Sequence, residues 1–144
     1  MTAPSAAGLD HELIDALVMT SFATMAVLNR IAAENDLSLT QLRVLAILRD
    51  GPTQMTDLIG YLGLDKSTVS GLVDRAEKRD LVQRVPSARD GRRIDVLLSA
   101  AGAELAERGT TEVAQALSGM TGALSPAEAR RLTRLLFRLL RRGV

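Results

Sequence analysis

Apolar residues recur at three- and four-residue steps through the first part of the chain: Ile14, Val18, Phe22, Met25, Leu28 and Ala32. That spacing is the period of an amphipathic helix and predicts one over about 10–35, after a small polar arm at about 1–8. Ser38-Leu39-Thr40-Gln41 has the form of a capping box, in which a serine hydroxyl and a glutamine amide satisfy each other's backbone donors. It opens a second helix with Leu42, Leu45, Ala46 and Leu48 inward, stopped by Gly51-Pro52. A short helix follows over about 55–62 and ends at Gly63; Asp65 then caps another over about 66–79. There the period changes. Residues at about 81–85 and 94–98 read as strands, and Asp90-Gly91 between them makes the pair a hairpin. Ser99 caps a helix running to about 120, and Ser125-Pro126 with Glu128 opens the last one.

Composition narrows what these elements can do. A chain of 144 residues reads as one domain. Apolar residues make up 47% but aromatics only 2%, so the core must be Leu, Ile, Val, Ala and Met. No uninterrupted apolar run approaches the roughly 18 residues of a membrane span. The opening "MTAPSAAGLDHE" also lacks the basic-then-apolar order of a secretory leader. A soluble cytoplasmic protein with no membrane partner is expected. With no cysteine, disulfides, thiol redox sensing and thiolate metal sites are excluded together. His11 is the sole histidine and reads as a solvated side chain, so no metal and no cofactor are expected. Serine and threonine are plentiful. Yet no nucleophile elbow, phosphate-cradling glycine loop or histidine–carboxylate pairing accompanies them, so no catalytic residue and no enzyme is expected.

Charge is informative only in its distribution. The net value is +1, but 1–64 carry seven acidic against three basic side chains. Residues 65–93 carry eight basic against five acidic, a local island of +3. That island covers the second short helix and the hairpin, and on charge alone it fits a phosphate-binding surface as well as ordinary solvated faces. Two short helices joined by a glycine turn, followed by a hairpin, make a winged helix-turn-helix. In the second short helix Val69, Leu72, Val73 and Ala76 share one face, which must pack inward. The opposite face presents Ser67, Ser70, Gly71, Asp74 and Lys78, flanked by Lys66, Thr68 and Arg75. Small hydroxyls and a few cations let the backbone approach a major groove and reach both phosphates and base edges. The hairpin tip would enter the neighbouring minor groove, where arginine is the side chain that fits the narrow, negative A·T-rich steps. Arg92 is the expected probe, Asp90 its brace, and Arg89 and Arg93 phosphate clamps.

The chain resembles the MarR family of winged helix-turn-helix transcriptional regulators over about 13–140. The resemblance is carried by "LTQLRVLAIL" (39–48), "LGLDKSTVSGLVDRAEKRDLV" (62–82), "RDGRRIDVLLSAAG" (89–102) and "LSPAEARRLTRLL" (124–136). The family's wing Asp-x-Arg falls on Asp90 and Arg92. It implies a mainly α (α+β) fold: a winged helix-turn-helix at 37–99 with a two-stranded wing, and N- and C-terminal helices (1–36 and 100–144) forming a dimerisation domain. It also implies a homodimer on a pseudo-palindromic double-stranded operator, with Leu13, Leu17, Leu132, Leu135, Leu136 and Leu139 at the interface. Many members are repressors released by small phenolic or lipophilic effectors; the implied pocket includes Met19, Phe22, Met25 and Leu45. Departures are Asp80 where glycine is usual, Gly71 where a larger polar reader is common, and Ile59-Gly60 in the preceding helix. Absence of cysteine excludes the thiol-sensing branch. The competing class is a winged-helix protein-interaction module that no longer reads DNA. The Asp90/Arg92 pair and Lys66-Ser67-Thr68 favour the regulator, because an adaptor has no use for them.

Overall fold

The computed structural model describes residues 6–142, so most of the expected arm falls outside the described residues. Six helices are present: α1 Ala6–Glu34, α2 Leu39–Leu48, α3 Met55–Leu62, α4 Lys66–Lys78, α5 Ala100–Thr121 and α6 Pro126–Arg142. Their starts follow the caps. Ser38 accepts from the Gln41 N–H at 3.1 Å, and the Gln41 side chain accepts from the Ser38 N–H at 2.9 Å. Ser125 and Glu128 repeat the arrangement at 3.2 and 2.8 Å, which holds the Glu128 carboxyl below its ordinary range. Two ends use aspartate in the left-handed conformation, Asp36 at φ 55 and Asp80 at φ 56. At the second, Leu81 N–H donates to the Ala76 carbonyl and Asp80 N–H to that of Glu77, both at 2.9 Å. This is the Schellman closure, with aspartate tolerating a backbone that usually selects glycine.

The sheet has one strand more than the sequence pattern predicts. β1 (Thr53–Gln54), β2 (Val82–Pro86) and β3 (Ile94–Leu98) pair in the order β1-β3-β2, all antiparallel. The two-stranded wing is therefore part of a three-stranded sheet. Two residues after a Gly-Pro stop carry no period, so β1 has no signature of its own. Its partners are nonlocal: Thr53 faces Val96 and Gln54 faces Asp95.

The described residues fall into two compact units, divided between Val113 and Ala114. The first holds the hydrophobic core, built from Ala32 at the end of α1, Val44, Leu45 and Leu48 of α2, Leu58 and Leu62 of α3, Leu105 and Ala106 of α5, and the inner faces of α4 and the wing. Val69, Leu72, Val73 and Ala76 are buried as the spacing of α4 requires. In α2 the inward set differs: Val44 is buried, Leu42 half-buried and Ala46 exposed. The start of α5 lies so close to β2 that a Cβ on Gly102 would overlap the Leu81 carbonyl. The second unit contains α6, whose leucines at 132, 135, 136, 139 and 140 are all exposed.

α1 is also uncovered. Its periodic Ile14, Val18, Phe22 and Met25 are exposed, Phe22 by 70%. By length and mean hydropathy (1.4) the segment Gly8–Glu34 is sufficient to cross a membrane, contrary to the expectation from uninterrupted runs. The reason is dilution, because between Leu13 and Asn29 only Asp15 is charged.

Candidate nucleic-acid interface

α4 is set at its N-terminus by Asp65, whose carboxylate accepts from the Thr68 N–H at 3.1 Å and from the Ser67 and Thr68 hydroxyls at 2.5 Å each. These bonds, the Ser67 hydroxyl first, hold the Asp65 carboxyl far below the usual carboxylate range. Both hydroxyl protons are thereby committed to the cap. Ser67 and Thr68 present lone pairs to solvent, which suits accepting from a base amino group better than donating to a phosphate.

Of the residues expected to read DNA, Lys66, Ser67, Thr68, Asp74 and Arg75 are exposed, while Ser70 and Gly71 are half-buried. Space above Gly71 is bordered by the Arg75 guanidinium, 3.4 Å from where a Cβ would stand. Lys66, Ser70, Arg92 and Arg93 meet in one open groove, together with Met55, Thr56, Ile59, Arg84 and Ile94. The groove is thus shared by α3, α4 and the wing, as a surface that must follow a duplex requires.

At the wing tip the roles differ from the sequence expectation. The Arg92 backbone N–H donates to Asp90 Oδ1 at 3.1 Å, while Arg93 Nε lies 3.7 Å from Asp90 Oδ2. Asp90 therefore braces the Arg93 guanidinium and only the backbone of Arg92. The cause is local: an aspartate in a tight turn caps the N–H two residues on, and the three-residue step brings Arg93 across the turn. The Arg92 side chain is exposed and has no hydrogen-bond or ion-pair partner among the described residues. Arg89 is exposed as well, and its N–H donates to the buried Ser87 hydroxyl at 3.3 Å. Gln54 of β1 donates to that hydroxyl at 3.5 Å, tying the root of the tip to the sheet.

Arg84 of β2 belongs to the arginines around the hairpin, but the sequence pattern gives it no role of its own. Its Nη1 lies 2.8 Å from Asp74 Oδ1 and also pairs with Glu77; its Nη2 donates to the Ser70 carbonyl at 3.2 Å and hydroxyl at 3.4 Å. Asp74 is therefore held by the wing rather than free in the groove. No local spacing links 84 to 70, 74 and 77, so only the fold brings them together.

The residues expected to form an effector pocket are not gathered into one cavity. Met19, Phe22 and Met25 are exposed on α1, and Leu45 is in the core. Leu45 lines an open groove with Leu28, Leu42, Ala46, Arg49, Ala106, Gly109, Thr110 and Val113. At its rim Arg49 Nη1 donates to the Thr110 hydroxyl at 2.8 Å, and its Nε lies 3.6 Å from Asp50. Leu13 and the α6 leucines are exposed and Leu17 is half-buried. Among the described residues no group of three or more His, Asp or Glu side chains is placed to hold a metal ion.

This architecture has known counterparts. A model of the MarR family matches residues 35–93, from the end of α1 to the wing tip. The HTH-type transcriptional repressor NicR of Pseudomonas putida is 33% identical over 112 residues, 72% of this chain and 71% of that protein. The solved structure of NadR in complex with 4-hydroxyphenylacetate is 26% identical with a TM-score of 0.76, covering 96% of this chain and 97% of its own. That of Bordetella bronchiseptica BpsR, whose DNA binding is regulated by 6-hydroxynicotinic acid, is 26% identical with a TM-score of 0.70, covering 89% and 98%.

Proposed function

The chain belongs to the MarR family of transcriptional regulators, and from that premise we propose a dimeric, sequence-specific repressor released from its operator by a small aromatic or lipophilic ligand. The observation that carries the DNA reading is the groove in which Lys66, Ser70, Arg92 and Arg93 converge, with the Arg92 guanidinium unengaged at its edge. α4 lies in the major groove, where Ser67, Thr68 and Ser70 reach base edges and Gly71 allows close approach. Arg92 enters the minor groove; Arg89 and the Asp90-braced Arg93 clamp phosphates. Binding, not catalysis, is the activity, and it is carried out in the cytoplasm.

Residues 37–99 form the reading head, and the helices at 1–36 and 100–144 the dimerisation region. A twofold mate, rather than lipid, covers the apolar face of α1 and the leucine face of α6, since both are costly to leave wet. NicR is a repressor, and both neighbours with named ligands meet small aromatic acids. The groove between α1, α2 and α5 fits such a guest, with apolar walls and Arg49 and Thr110 at the rim for a carboxylate.

The test is a fluorescence-anisotropy titration of parent and Arg92→Ala against the chain's own upstream promoter and a scrambled duplex, at several salt concentrations. Arg92→Ala should lose about 1–3 kcal/mol of operator binding and the preference for A·T-rich flanks. Dimer mass should be unchanged. An Arg92→Ala variant that binds both duplexes like the parent would reduce the wing to a solvated hairpin. No binding of the parent at low salt would instead favour the protein-interaction module.

A further inference from the structure

We propose that Arg84 is a positioning residue for operator recognition, the clamp that fixes the wing at one angle to the reading helix. This rests on the DNA-binding reading above. Ser70, Asp74 and Glu77 stand at i, i+4 and i+7 of α4, on one face, and the Arg84 guanidinium joins all three. Arg84 sits opposite Val96 in the β2–β3 ladder, so its backbone moves with the wing. Its side chain is only 25% exposed, and a planar fork so placed has one orientation that serves every partner. Nη1 takes the two carboxylates and Nη2 the Ser70 oxygens, a division of labour that a lysine ammonium on a flexible stem cannot reproduce.

Two consequences for recognition follow. Arg84 lies in the wall of the same groove as Arg92 and Arg93, so the clamp determines how far the tip stands from α4. A duplex read at two grooves demands that this separation match the groove spacing, and a loose wing must be ordered on binding. Arg84 also draws Asp74 and Glu77 toward the protein, where they would otherwise add negative charge to a surface that meets phosphates.

Arg84→Lys separates geometry from charge, and Arg84→Gln removes both. Each is titrated against operator and scrambled duplex, and amide hydrogen exchange of 87–93 is followed in the free dimer. For Arg84→Lys we expect operator affinity to fall at least about tenfold, scrambled-duplex affinity to change much less, and the salt slope to stay that of the parent, because no phosphate contact is lost. Wing-tip amides should exchange faster while those of the α2 core do not. Arg84→Gln should lose the same discrimination and also bind the scrambled duplex more weakly. Arg84→Lys with the parent's operator-to-scrambled ratio and unchanged wing exchange overturns the clamp. A parent that binds neither duplex at low salt refutes the DNA-binding reading beneath it, whereas wing exchange in the variants still reports on the clamp itself.

Discussion

Gly102→Ala should be among the most damaging single-methyl additions in this chain. Gly102 is the third residue of α5, and its own N–H donates to the Ser99 hydroxyl at 3.0 Å. Ser99 in turn donates through its hydroxyl to the Asp80 carbonyl at 2.5 Å and through its N–H to the Leu81 carbonyl at 3.0 Å. The start of α5 is thus stapled to the backbone that leads from α4 into the wing. A Cβ on residue 102 would overlap the Leu81 carbonyl oxygen and stand 2.8 Å from its carbon and 3.2 Å from its Cα. Backbone cannot rotate away, so α5 must retreat and weaken bonds worth about 0.5–1.5 kcal/mol each. Overpacking adds about 1–3 kcal/mol, and the better helix propensity of alanine returns about 1 kcal/mol. The net loss is on the order of 3 kcal/mol, a melting temperature lower by roughly 10 °C in a chain of this size. Gly60→Ala is the control: it lies within α3 with nothing inside 4 Å of its Cβ position and should gain about 0.5–1 kcal/mol. Thermal unfolding followed by circular dichroism at one fixed protomer concentration compares the two. If Gly102→Ala melts within about 2 °C of the parent, the close approach of α5 to Leu81 is not what the geometry says.

Leu136→Asp should give monomers or insoluble protein, since it puts a carboxylate into the proposed leucine interface; a soluble variant with the parent's dimer mass by light scattering would count against that interface. Asp65 makes stability fall in acid: its folded carboxyl titrates well below the usual carboxylate value, so the stabilisation is complete above about pH 4 and is lost as pH drops toward the folded value. Asp65→Asn keeps a capping side chain that does not titrate and should flatten this limb; parent and variant curves of the same slope between about pH 4 and pH 2 would contradict the assignment.

What the sequence made legible is what is encoded locally. The boxes at Ser38/Gln41 and Ser125/Glu128, the cap at Asp65 and the buried face of α4 each depend on residues within one or two turns, and each stands where the spacing puts it. Asp80 stood out only through the resemblance, which has glycine there, and its left-handed backbone accounts for that preference. β1 was not legible, because two residues acquire strand character only from β3, about forty positions later. Nor was the choice of Asp90 between Arg92 and Arg93, which is decided by which turn atoms reach the carboxylate first. The period of α1 announced a helix with an apolar face correctly, but a period cannot say whose atoms cover that face. Within one chain it is left exposed at Ile14, Val18 and Phe22.

Charge ordering in the reading head goes further than the sequence sum. The island at 65–93 has a net +3, which alone is a modest attraction for a polyanion. In the folded chain four of its five carboxylates are engaged by protein donors: Asp65 by its own helix start, Asp74 and Glu77 by Arg84, Asp90 by Arg93 and the turn. Lys66, Arg75, Arg89 and Arg92 are exposed and have no ion-pair partner among the described residues. These carboxylates are thus already paired within the protein, while these cations remain free to meet a phosphate backbone. With Arg92 in the minor groove, phosphate contacts from Lys66, Arg75, Arg89 and the Asp90-braced Arg93 number four per protomer and about eight in a dimer, a slope of log affinity against log salt of roughly −7. A sum over the island would give a shallower dependence. The same arrangement explains why Arg84, which touches no phosphate in this scheme, bears on recognition: it pairs two carboxylates of the reading helix while holding the wing in register with α4.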